Sequence, residues 1–117
     1  FSKLSTMSAR YMLALITAPS KNATKIAVEL VTQKLAACVN FIPGVESIYW
    51  WEGKVQRDNE VILMAKTTED VAKELVEVVT KMHPYETCEV IFTQIDEKLS
   101  SQKYLRWIDE SIRKEAK

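Results

Sequence analysis

The stretch from Cys38 to Lys66, CVNFIPGVESIYWWEGKVQRDNEVILMAK, constrains the fold more than any other part of the chain. Val39 and Phe41 alternate with Asn40 until Pro43 and Gly44 interrupt. Val45, Ser47, Tyr49 and Trp51 then fall on one face of a strand, and Glu46, Ile48 and Trp50 on the other. Proline donates no ladder hydrogen bond, so the strand is expected to bend or bulge at Pro43 and to lie at a sheet edge. WEGK, residues 51 to 54, reads as a tight turn in which Gly53 takes positive φ. The chain then returns through Val55 to Lys66. Arms of about ten residues would reach ~33 Å, longer than a strand in a small domain usually is.

Around that hairpin, hydrophobic spacing predicts the other elements. Ala9 to Thr17 is a short apolar run before Pro19 and reads as a buried central strand. Ser20 offers an N-cap, and Ala23, Ile26, Ala27, Leu30, Val31 and Leu35 line one face of a helix over 22–35. TTED at Thr67 to Asp70 resembles a capping box and is expected to start a second helix, with Val71, Leu75, Val78, Val79 and Met82 facing inward. Pro84 closes it. Thr87 to Ile95 is β-branched and aromatic, hence a last strand, and Tyr104, Leu105, Ile108 and Ile112 mark an amphipathic C-terminal helix.

This order of elements predicts an α+β, ferredoxin-like (split βαβ, βαββαβ) fold with an extended second-to-third-strand hairpin and an extra C-terminal helix. The first and third strands would be central, and the second and fourth would be opposite edges. Residues 10–117 form the expected single domain, preceded by a flexible segment over 1–9. No Gly- or Ser-rich linker divides the chain, and its 2 glycines provide no phosphate-binding loop.

Charge narrows the functional classes. Lys plus Arg and Asp plus Glu are 16 each, so no net field draws the chain to polyanions and nucleic-acid binding is not expected. The apolar runs from Tyr11 to Ile16 and Val61 to Ala65 fall far short of the ~20 residues of a membrane helix. A soluble protein is expected, cytoplasmic, or organellar or secretory after removal of an N-terminal segment, because the chain opens at Phe1 without a signal-peptide core. Cys38 and Cys88 lack the spacing of a disulfide framework or zinc knuckle and read as reduced, partly buried thiols. NAT at Asn22 to Thr24 is a glycosylation sequon in form and reads better as helix-start chemistry.

The combination of KLAACVNFIPGVESIYWWEGKV, EVILMAKTT and HPYETCEV resembles the CutA family, the divalent cation tolerance proteins, over Arg10 to Arg113. The expected branch is the animal one. The resemblance implies a ferredoxin-like subunit in a compact homotrimer, linked to copper tolerance and divalent-metal binding, with an architecture like that of trimeric PII signalling proteins. Animal members are tied to acetylcholinesterase processing or membrane anchoring, as a partner and not as an enzyme. Family members considered as copper binders combine the histidine of HPY, the glutamate six positions later and a cysteine before TAP. Here these are His83, Glu89 and, in place of the cysteine, Ile16.

His83 and Glu89 are therefore the candidate metal residues, with Cu(II) or another divalent cation weakly bound. Fully extended, they would stand ~20 Å apart, so chelation requires a turn at Pro84 and Tyr85 or a neighbouring subunit. The alternative role for His83 is structural, satisfying a terminal carbonyl of the helix before Pro84. Tyr49, Trp50 and Trp51 are the candidate trimer interface, because an aromatic edge hairpin left open would template aggregation. No catalytic residue is assigned: His83 and Cys88 face opposite ways, and no oxyanion loop accompanies them. The reading is a non-enzymatic homotrimer with ligand clefts between subunits; its alternative is a trimeric interaction scaffold associated with acetylcholinesterase or its membrane anchor.

Overall fold

The structure of the protein, a computed structural model, describes residues 10–114, so the segment expected over 1–9 lies outside the described residues. Strand β1 spans Tyr11–Ala18, α1 Ser20–Thr32, β2 Cys38–Trp51, β3 Lys54–Thr68, α2 Ala72–Met82, β4 Val90–Gln94 and α3 Gln102–Ser111. A short 3-10 turn, Glu69–Val71, precedes α2. The sheet order is β2-β3-β1-β4, and every neighbouring pair is antiparallel, which is the expected ferredoxin-like arrangement with its hairpin and added helix.

Alternation along β1 and β3 divides the sheet into two unlike faces. On one, Ala14, Ile16, Ala18, Leu63 and Ala65 are buried against Ile26 and Leu30 of α1 and Leu75 and Val79 of α2, making the core. On the other, Leu13, Leu15, Ile62 and Met64 stay half-buried, while Ile42 and Ile91 are exposed. That second face is apolar across its width. Helix α3 closes one end of the molecule with Leu105 and Ile108, and the Arg113 N–H donates to the Lys34 carbonyl at 3.0 Å.

The hairpin is longer than its sequence pattern suggests: β2 has 14 residues and β3 has 15. β1 pairs only from Val61 to Thr68 of β3, so the outer half, Val45 to Trp51 against Lys54 to Glu60, is two-stranded. It extends a molecule of 49 × 28 × 27 Å. At its end Glu52 has φ 51° and Gly53 φ 78°, so both central turn residues are left-handed, as a type I′ turn requires. At Pro43 and Gly44 the ladder bulges: β2 advances from Ile42 to Val45 while β3 advances only from Ile62 to Glu60, one residue fewer. Gly44 takes φ 72° there.

Three local expectations are corrected. α1 begins at Ser20, with Pro19 as N-cap and no side-chain cap, and ends at Thr32; the αL residue that stops it is Lys34, at φ 59°, with Leu35 N–H returning to Leu30 O. Thr67 starts no helix. It is the buried penultimate residue of β3, and its Oγ1 donates to Leu35 O at 2.7 Å. β4 begins at Val90 rather than Thr87, since residues 84–89 are irregular.

Candidate functional site

Helix α2 stops where Pro84 forces it to, and His83 takes an extended backbone, φ −78° and ψ 140°. This turns the imidazole inward. His83 is 7% exposed, with Nε2 2.8 Å from the carbonyl oxygen of Thr17 on β1. The Tyr85 N–H donates to Nδ1 at 3.2 Å. A carbonyl only accepts and an amide N–H only donates, so the ring is the neutral tautomer carrying its proton on Nε2. The expected bond to a carbonyl of its own helix is thus replaced by one to a neighbouring strand. The His83 and Tyr85 rings also meet, with centroids 5.0 Å apart and planes tilted by 56°.

Glu89 reaches the same residue from the other side, where its Oε1 accepts from Thr17 Oγ1 at 3.4 Å. The chain does turn back at Pro84 and Tyr85, so His83 and Glu89 both converge on Thr17. They do so differently: His83 holds its main chain with both ring nitrogens engaged, while Glu89 stays exposed. Cys88 is half-buried and packs against the core, and Cys38 and Cys88 are both free. Among the described residues, no group of three or more His, Cys, Asp or Glu side chains could hold a metal ion. One chain by itself therefore does not fit a metal centre at His83 and Glu89.

What this corner does form is a pocket of about 570 Å³. β2 contributes Ser47, Ile48, Tyr49 and Trp51, β3 contributes Glu60, β1 contributes Thr17, and the segment after α2 contributes Tyr85, Glu86, Thr87 and Glu89. The bulge is what turns Ser47, Tyr49 and Trp51 toward it. Glu60 is a carboxylate only 7% exposed. Tyr49 donates its hydroxyl to Asp58, and that bond pushes its pKa up to about 12. Burial raises the pKa of Tyr85, with the charges of Asp58 and Glu60 adding to it. Trp50, of opposite parity, points away and is 72% exposed.

Sequence reasoning missed Glu60, Asp58 and Tyr85. A signal for Glu60 was present: it shares parity with Ile62 and Met64 and so belongs to the apolar face, where a carboxylate is out of place. Elsewhere, Arg57 and Glu46 pair at 3.2 Å on the exposed side of the hairpin, which contributes little to stability. Among the described residues, no helix is long and apolar enough to cross a membrane.

Comparison with known proteins agrees with this architecture. The family model described as CutA1 divalent ion tolerance protein matches residues 12–111. Protein CutA 1, chloroplastic, of Oryza sativa is 48% identical over 99 residues, covering 84% of this chain and 55% of that protein. Protein CutA homolog of Xenopus laevis is 45% identical over 100 residues, covering 85% and 65%. The matches thus take in plant and animal proteins and do not single out the animal branch. The chain spans roughly half to two thirds of the length of these relatives. The crystal structure of CutA1 from Oryza sativa superposes with a TM-score of 0.86 at 39% identity, covering 92% of this chain and 98% of that one. The PII-like protein CutA from Nostoc, in apo form, gives 0.82 at 32% identity, covering 87% and 97%. With its hairpin, bulge and HPY corner all inside the matched region, this chain belongs to the CutA1 divalent ion tolerance family.

Proposed function

We propose that the protein is a non-enzymatic, ligand-binding homotrimer whose pocket beside Thr17 takes a cation weakly, Cu(II) or another divalent ion among them, with a neighbouring subunit completing the shell. The observation that carries this reading is the pocket's sign: Glu60, Glu86 and Glu89 line it, and among the described residues no Lys, Arg or His does. Carboxylate and hydroxyl oxygens suit hard or borderline divalent cations. His83 acts here as the bracket that fixes Thr17 and Tyr85, and Glu89 is the group that would touch the ion.

Trimerisation draws support from the fold. Among the described residues the apolar sheet face carries no helix and the outer hairpin has no third strand, an arrangement marginal in water by itself. Tyr49, Trp50 and Trp51 stand at that outer end, with Trp50 the most exposed, and are the proposed interface anchors. Calorimetric titration of the assembled protein with Cu(II) and Zn(II) tests the cation: Glu89→Gln should weaken binding at least tenfold, and an unchanged isotherm removes the metal reading. Sedimentation at nanomolar dilution tests the assembly, and a folded monomer there removes the trimer.

A second reading, an interaction scaffold for acetylcholinesterase or its membrane anchor, is favoured by the exposed patch on and before α3. Tyr104 and Trp107 lie 5.3 Å apart, 40% and 42% exposed, with Leu99 85% exposed. Changing both aromatics to serine should abolish partner capture while leaving the Cu(II) titration intact if this reading holds.

A further inference from the structure

The pocket is built for something larger than a metal ion. A divalent ion needs oxygen ligands within ~2.0 to 2.6 Å of one point, and the acidic side chains here do not converge in that way. A volume of about 570 Å³ is that of a small-molecule site. The walls are of two kinds. Tyr49, Trp51 and Tyr85 present aromatic surface, each partly exposed; Glu60, Glu86 and Glu89 present negative charge.

Glu60 is the residue that points to a ligand. Its carboxylate is only 7% exposed, lines the pocket, and has no ion-pair or hydrogen-bond partner among the described residues. A carboxylate so little exposed, and open only to the cavity it lines, gains when a partner of opposite charge reaches it there. The side chain shares a face with Ile62 and Met64, so no turn or helix end accounts for its placement.

We infer that the pocket binds an organic cation with two or more ammonium groups on an apolar stem, a linear polyamine. Its ammonium heads would pair with Glu60, Glu86 and Glu89, and its methylene stem would lie against Tyr49, Trp51 and Tyr85, where a cation also gains from the aromatic faces. Ammonium groups tolerate the wider separation of carboxylates that a single metal ion does not. Two walls are already held in place, which lowers the ordering cost of binding: Tyr49 by its bond to Asp58, Tyr85 by its N–H bond and ring contact with His83. This names the ligand class of the pocket proposed above and rests on that reading only in requiring the pocket to be open in the assembled protein.

The test is titration of the assembled wild-type protein with spermidine at about 150 mM salt, where diffuse surface attraction is screened, followed by calorimetry and tryptophan fluorescence. Saturable binding is expected, weakened at least tenfold by Glu60→Gln and severalfold by Trp51→Leu. Glu46→Gln, on the opposite face of the hairpin, should change nothing. Variants are first matched to wild type by melting and sedimentation, so that a misfolded one is not scored. No spermidine binding, or equal loss from Glu46→Gln and Glu60→Gln, or indifference to Trp51→Leu, overturns the inference. Cu(II) binding lost in Glu89→Gln while spermidine stays silent would sink the polyamine and leave the divalent-cation reading standing; silence from both would remove both.

Discussion

Tyr49 donates its hydroxyl to Asp58 diagonally across the hairpin, for the residue directly opposite Tyr49 is Gln56 and Asp58 stands opposite Ser47. Such a diagonal lies within reach of an aromatic side chain. The bond holds the phenol in its protonated form, so its pKa rises to about 12 from the ordinary value near 10. The folded state therefore keeps this proton when the unfolded chain has lost it. The contribution is fully present below about pH 10 and fades as pH climbs toward about 12. In an ultraviolet absorbance titration, a late-ionising tyrosine should disappear in Tyr49→Phe and move back toward the ordinary range in Asp58→Asn. A late step untouched by Asp58→Asn would contradict the assignment.

Gly53→Ala tests the turn without disturbing packing, since a Cβ at Gly53 would meet nothing within 4 Å. The penalty is backbone strain alone, at φ 78°, and should lower unfolding free energy by about 1 kcal/mol in urea titration. Glu52→Asn should move the other way, because asparagine suits the first left-handed position of this turn and glutamate does not.

His83→Ala removes the bracket between β1 and the segment after α2. Two hydrogen bonds and the packing of a buried ring are lost, and about 2–3 kcal/mol of destabilisation is expected by chemical denaturation. Nitrogen chemical shifts of the single imidazole should report the proton on Nε2 and a bare Nδ1. The opposite tautomer would break this account of the corner.

Thr67→Val should cost about 1–3 kcal/mol even though the two side chains have similar shapes. The hydroxyl that leaves is the one donating at 2.7 Å to the Leu35 carbonyl, which stays buried without it. A neutral effect would mean that water reaches that carbonyl.

Much of the fold was legible because apolar spacing dominates it: the strand order, the bulge at Pro43, the turn at Gly53 and the helix end at Pro84 follow from residues with few alternatives. Thr67 was misread because a hydroxyl three positions before an acid looks the same at a helix start and at the end of a buried strand; only the position of Leu35, far away in sequence, separates them. Lys34 carried no signal as a helix stop, since glycine usually occupies that conformation. At the site, His83 and Glu89 were singled out by the family resemblance, and the pocket itself was not legible. Its walls come from four separate segments, and which of two alternating sets faces Glu60 depends on register rather than on composition.

That dependence gives the bulge at Pro43 and Gly44 a particular genetic fragility. Removing one residue there would leave a regular ladder, for Ile42 and Val45 would then stand two steps apart like Ile62 and Glu60, and Ser47, Tyr49 and Trp51 would keep their side. Removing two would make Ile42 and Val45 neighbours and reverse the sidedness of everything beyond, sending Tyr49 and Trp51 away from the cavity. Lineages of this chain should therefore tolerate the loss of a single residue at that spot and eliminate the loss of two.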